Sequence, residues 1–202
     1  TISEIGREMV VASSRLRYAG GKWADAWDTA RLFFAPADRN TTGSCLLHDG
    51  RGRIYFFNAI GDSGHHRDQC MMMSISTDSG RTWTRPRIVT DLFRRHKYTP
   101  MDSAFVEDEG QTVVLSMDFA PLGYKANEAG SGVFLSFDRG QTWIDRITGK
   151  QAPEVAEGRT GRLAAGFHIN TVRLNDGRLL AMTRTQGRWH INRRMTKSYS
   201  SN

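Results

Sequence analysis

The sequence predicts an all-β chain built as a β-propeller of four-stranded antiparallel blades, with about three blades present in its 202 residues. Ser76 to Trp83 reads STDSGRTW and Ser136 to Trp143 reads SFDRGQTW, so one SxDxGxxW pattern occurs twice, 60 residues apart. Short apolar runs and Gly-containing turns keep the same order inside each period, and no long helix is evident. A repeat of this length made of β segments marks units that bury their apolar faces only against neighbours of the same kind.

Residues 1–36 read as the outer half of one blade, in which Gly20-Gly21-Lys22-Trp23 keeps the GxxW half of the pattern while Tyr18 stands where the Asp belongs. Residues 37–96 read as a whole blade. Its first strand is Ser44 to His48, its turn Asp49-Gly50-Arg51-Gly52, its second strand Arg53 to Ala59, and a loop from Ile60 to Gln69 leads to the strand that ends in Ser76–Trp83. Residues 97–160 repeat the plan with strands Ser103 to Glu107 and Thr112 to Phe119 and a loop from Ala120 to Ser131. Residues 161–202 supply three strands of another blade: Asn170 to Leu174, Arg178 to Thr185 and a last one in MTKSYSSN, which matches the rhythm of Met71 to Asp78. The second strands are rich in Ile, Val, Leu, Phe and Tyr, the residues that suit a pleated, buried surface. The whole reads as a single partial propeller domain and as a piece of a longer protein.

The chemistry of the pattern is that of a turn. Asp78 and Asp138 are expected to fold back onto backbone N–H groups two or three residues on, Ser side chains to do so more weakly, and Gly80 and Gly140 to take a positive φ. Trp83 and Trp143 are expected to open the fourth strand, each burying roughly 150 to 250 Å². The Asp residues are therefore structural, not catalytic.

The net charge is +7, and 23 of the 28 basic residues are Arg. The planar guanidinium suits bidentate recognition of carboxylate, sulfate or phosphate, although an Arg-rich solvated surface accounts for the excess equally well. The basic residues are scattered over the whole chain, so no nucleic acid partner is expected. No stretch of 18 apolar residues occurs, so no membrane span is expected. No cofactor and no metal are expected either, because His65 and His66 are adjacent and oppose each other in an extended segment, with no third ligand at metal spacing. Cys45 and Cys70 read as thiols on segments separated by a strand. The first residues show no leader pattern, and the compartment stays undetermined.

In an up-and-down blade the connections alternate sides. The SxDxGxxW turns share one side with the first turns, and the longer loops lie on the other, where functional groups sit on a rigid scaffold. That side carries Asp62, His65, His66 and Asp68, the segment Arg94 to Asp102, Tyr124 and Glu128, and the segment Lys150 to His168. Asp68 and Asp102 either contact a substrate or cap a loop. His168, at the start of an innermost strand, either faces the central channel or is a satisfied structural group. Arg184, at the end of an apolar strand, is either one of a set of anion contacts or half of an outward salt bridge.

The two full turns, the truncated SYSSN, and the pattern of an Asp-Gly-Arg turn followed by an apolar strand resemble the sialidase superfamily, the BNR-repeat or Asp-box propellers. The resemblance runs over nearly the whole chain and implies a six-bladed propeller when complete. It implies a retaining, exo-acting glycoside hydrolase on an acidic glycan, with Arg residues that grip a carboxylate, an Asp general acid on a second-to-third loop, and a Tyr nucleophile activated by Glu. An oxocarbenium-like centre beside a carboxylate repels a carboxylate nucleophile, so a neutral Tyr takes that role. Carried onto this sequence, Asp62 falls at the general acid's position and Arg39 near the first carboxylate-binding Arg; Asp102, His168 and Arg184 are candidate substrate contacts from their place on the loop side alone. Arg39 is followed by Asn-Thr-Thr-Gly in place of the superfamily's Ile-Pro. The Tyr/Glu pair is expected further on than these residues extend. The alternative reading is a propeller that binds glycans, or only supports structure, without catalysis, and open blade edges make self-association a further option.

Overall fold

A computed structural model describes residues 9–62, 69–88, 96–107, 111–121, 130–145, 167–184 and 196–199. His65, His66, Asp68, Tyr124 and Glu128 lie outside them. Every regular element among the described residues is a β-strand.

Near the N-terminus β1 (Val11–Ser13) pairs with β4 (Arg31–Phe34), and β2 (Tyr18–Ala19) pairs with β3 (Lys22–Trp23). Gly20 and Gly21 carry φ of 58° and 79° in that hairpin. Two successive positive φ values give a turn whose twist matches the strands it joins.

Two four-stranded antiparallel sheets follow in chain order. The first runs β5 (Arg39–His48), β6 (Ile54–Asp62), β7 (Cys70–Ser76), β8 (Arg87–Ile88), and the second β9 (His96–Glu107), β10 (Thr112–Pro121), β11 (Gly130–Ser136), β12 (Ile144–Asp145). A third sheet holds β13 (Phe167–Arg173), β14 (Leu179–Arg184) and β15 (Thr196–Tyr199). The innermost strands β5, β9 and β13 pack in sequence, β5 on β9 and β9 on β13.

The second strands β6 and β10 are buried on both faces, whereas β14 buries Leu179, Ala181 and Thr183 on one face and leaves Met182 exposed on the other. Along β10 the strand period of two divides the side chains cleanly. Val113, Leu115 and Met117 join Tyr55, Phe57, Met71, Met73, Phe134 and Trp143 in the core between the first and second sheets. Val114 joins Ile169, Leu179 and Ala181 in the core between the second and third. The same face continues with Ser116, bonded through its hydroxyl to Thr171 at 2.7 Å, and Asp118. Each fully buried Phe, Leu or Met side chain contributes roughly 2 kcal/mol, and Leu115→Ala, in the core between the first and second sheets, is expected to cost on the order of 2–5 kcal/mol.

The SxDxGxxW turns are built as stapled loops. The Asp78 carboxylate accepts the Arg81 amide at 3.0 Å, the Thr82 amide at 2.9 Å and the Thr82 hydroxyl at 2.6 Å, while the Ser76 hydroxyl donates to Asp78 and accepts the Gly80 amide. Asp138 repeats this with Gln141, Thr142 and Ser136. The carboxylates thus reach three and four residues on, one further than expected. Gly80 and Gly140 have φ of 78° and 86°, and the residues before them, Ser79 and Arg139, are also positive at 61° and 62°. Trp83 and Trp143 precede the fourth strands instead of opening them.

The innermost strands are longer than the sequence predicts. β5 begins at Arg39, β9 at His96 and β13 at Phe167, where starts at Ser44, Ser103 and Asn170 were expected. Each carries a bulge that breaks the apolar alternation: at Gly43, opposite Asn58 and Ala59; at Met101–Ser103, opposite Ser116; and at His168–Ile169, opposite Thr183. A bulge bends the strand and increases its twist, so pairing continues beyond it in a shifted register.

Candidate functional site

Arg39 and Asp62 are cross-strand partners, the first residue of β5 opposite the last of β6. Asp62 is therefore the end of a strand, not a loop residue, and Arg39 opens its strand instead of preceding it. The strand end carrying Arg39 is well anchored: the Met9 amide donates to the Asn40 side chain at 3.0 Å, the Thr41 hydroxyl to the Met9 carbonyl at 3.3 Å, and the Gln69 amide group to the Thr42 hydroxyl at 2.8 Å. Arg39 itself is exposed. A guanidinium on a pinned strand end loses little further backbone freedom on meeting an anion.

At the same end of the sheets, His96 lies opposite Pro121 and Phe167 opposite Arg184. Asp102 stands in the β9 bulge, on the innermost strand next to β5, where the sequence had placed it in a connection between blades. His168 is the second residue of β13, exposed, with φ of 57°. A non-glycine residue in this region costs on the order of 1 kcal/mol and persists only where its surroundings impose it. Of the five residues proposed from sequence as site residues, Arg39 and Asp62 are cross-strand partners in the backbone register, Asp102 and His168 occupy bulges on adjoining innermost strands, and Arg184 closes β14 opposite the residue before His168.

Two polar residues at this end went unnoticed in the sequence. Asp118 accepts the His168 amide at 2.8 Å, the Ile169 amide at 3.4 Å and the Ser131 hydroxyl at 2.8 Å. Burial pushes its carboxyl above the ordinary carboxylate value, and the bonds from His168 and Ser131 only partly offset this. Asn58 donates to the Gly43 carbonyl at 3.2 Å and to the Ser44 hydroxyl at 2.9 Å. The signal was there: a carboxylate in the run ThrValValLeuSerMetAspPheAla and a carboxamide in IleTyrPhePheAsnAlaIle, each in a strand that is otherwise mostly apolar.

Among the described residues no three His, Cys, Asp or Glu side chains come together as metal ligands. Cys45 is buried and Cys70 partly so, and they are not joined in a disulfide.

No protein-family profile matches the chain, and no curated protein matches it either. Solved structures do. The Hadza microbial sialidase Hz136 superposes with a TM-score of 0.62 at 16% identity, over 87% of this chain and 35% of that one. The Trypanosoma rangeli sialidase in complex with the inhibitor DANA gives 0.61 at 16% identity, over 91% of this chain and 30% of that one. The NanB sialidase of Streptococcus pneumoniae gives 0.51 at 16% identity, over 94% of this chain and 26% of that one. This chain therefore spans about a third of these proteins or less, and at such identity the likeness speaks for the fold alone. The chain has the all-β, sialidase-like propeller fold that its repeated turns predict.

Proposed function

We propose that the chain forms part of a sialidase-like glycoside hydrolase that acts from the end of an acidic glycan with retention of configuration. The observation that carries this reading is the register pairing of Arg39 with Asp62, at the end of the sheets where the three bulged innermost strands begin. The guanidinium of Arg39 offers a planar fork to a sugar carboxylate. Asp62 then serves as the acid that protonates the leaving oxygen as the oxocarbenium-like centre forms. Arg184 supplies a second anion contact, and Asp102 and His168 contact sugar hydroxyls. The nucleophile is not assigned among the described residues.

The test is hydrolysis of a fluorogenic aryl sialoside by the full-length protein. Asp62→Asn is expected to lower kcat by about 100-fold or more, and Arg39→Ala to raise KM. Turnover unchanged in Asp62→Asn refutes the assignment.

The second reading is a propeller that binds an acidic glycan without cleaving it. It is favoured by the residues after Arg39, where Asn40 is buried and bonded to the Met9 amide, which departs from the Ile-Pro of the enzymes. Binding of sialylated glycans on an array with no release of sugar supports this reading over the first.

A further inference from the structure

Asp118 is a buried carboxylate to which the proposed chemistry gives no task. It stands on β10, in register with Thr99 of β9 and Ser131 of β11. Its side chain leaves its own sheet and meets the next one. One oxygen accepts the His168 amide at 2.8 Å, and the other accepts the Ser131 hydroxyl at 2.8 Å and the Ile169 amide at 3.4 Å. These two amides belong to the residues that the β13 bulge leaves without a register partner in β14. Left buried without an acceptor, each would disfavour the bulge. A carboxylate, with two oxygens set side by side, meets both amides at once, which a single hydroxyl does not.

A second bulge shows the same arrangement with a different partner. Asn58, also buried on a second strand, donates to the Gly43 carbonyl and the Ser44 hydroxyl where β5 bulges at a φ of 55°. Asn58 holds the bulge of its own sheet, whereas Asp118 holds the bulge of the following one. The backbone angle of His168, unusual for a residue with a Cβ, is thus imposed from the neighbouring sheet.

We propose that Asp118 is a positioning residue, a clamp between sheets that fixes the His168 bulge and so presents the exposed His168 side chain to an acidic sugar. That the ligand is an acidic sugar rests on the sialidase-like reading above; the clamp itself does not. If His168 reaches the ligand only in the geometry Asp118 imposes, the two residues act as one unit, and their losses do not add.

The experiment uses the full-length protein, with DANA as probe, and the variants Asp118→Ala, Asp118→Asn, His168→Ala and the double alanine variant. Affinity is read by calorimetry, and backbone amide exchange over 167–173 by mass spectrometry. Asp118→Ala and His168→Ala are each expected to weaken DANA binding about tenfold, with the double variant no weaker than either. Amide exchange over the bulge is expected to rise about tenfold in Asp118→Ala and to stay unchanged in His168→Ala. Asp118→Asn, which keeps one acceptor oxygen, is expected to fall between, and it decides the matter if Asp118→Ala does not fold. Additive losses, or wild-type exchange in the Asp118 variants, overturn the proposal. A full-length protein that does not bind DANA refutes the functional reading, and the exchange data then judge the clamp on their own.

Discussion

Arg87 donates its guanidinium to the carbonyl of Gly140 at 3.1 Å, joining the fourth strand of the first sheet to the SxDxGxxW turn of the second. Arg15, in the connection between β1 and β2, makes the matching bond to the carbonyl of Gly80 at 3.0 Å. In the earlier turn the Trp83 indole shares that carbonyl at 3.2 Å, whereas the buried Trp143 indole nitrogen has no partner among the described residues. Trp143 packs instead edge-on to Phe57 of the preceding sheet, with ring centroids 5.8 Å apart. The turn motif is therefore both a hairpin staple and the point at which one sheet is fastened to the one before it.

Arg87→Ala removes a charge-assisted bond at a partly buried carbonyl and is expected to destabilise the protein by about 1 kcal/mol. Arg15→Ala, at a more exposed contact, is expected to cost less. Chemical denaturation of the two variants side by side checks the order.

The carboxylates of the turns set the response to acid. Hydrogen bonds from the Thr82 hydroxyl and amide and from Ser76 hold the Asp78 carboxyl far below the ordinary value of 3.8. At Asp138 burial pushes upward, but the bonds from Thr142, Ser136 and Gln141 outweigh it and the net shift is downward. A carboxyl with a lowered folded-state pKa contributes stability that is present above its unfolded value and is lost as pH falls through the folded one. Asp138→Asn is expected to be less stable than wild type at pH 7, with the gap narrowing as pH falls below about 4. A gap that is constant between pH 7 and pH 3 contradicts the staple.

The two turn glycines differ in their surroundings. A Cβ on Gly140 meets the Met73 Sδ at 2.7 Å, while one on Gly80 finds its nearest neighbour, an Arg15 nitrogen, at 3.4 Å. Both pay for the positive φ, but Met73 is a core residue with little space to withdraw. Gly80→Ala is expected to cost about 1 kcal/mol from backbone strain alone. Gly140→Ala is expected to cost about 1–3 kcal/mol more from overpacking, a difference that thermal unfolding of the pair resolves.

Asp118 titrates in the opposite sense to the turn carboxylates. Burial raises its folded-state pKa, so the stability linked to it is fully present below the unfolded value and is lost as pH rises through the folded one. Wild type is expected to gain on Asp118→Asn as the solution is taken from pH 7 to pH 4, measured as the difference in Tm. A gain by the Asn variant on acidification contradicts this.

How much of this was legible in the sequence follows from what each residue does locally. Ser76, Asp78, Gly80 and their counterparts act within eight residues of chain, so their spacing alone specifies the turn and, through its repetition, the fold. The inner strands were cut short because Gly43 and His168 interrupt the alternation from which a strand is recognised, and a bulge is a tertiary feature that depends on a partner strand. Asp118 was missed for the same reason, since its acceptor role depends on amides 50 residues away in another sheet. Arg39 and Asp62 were singled out through resemblance, and their register pairing depends on strands running further than their apolar pattern.

The most direct measurement of the central claim is a crystal structure of the full-length protein soaked with DANA. The account predicts the inhibitor at the strand ends that carry Arg39 and Asp62, beside the His168 bulge and remote from Asp78 and Asp138. Inhibitor bound against the SxDxGxxW turns, or on the exposed Tyr18 and Trp23 hairpin with the Arg39 end empty, would contradict it.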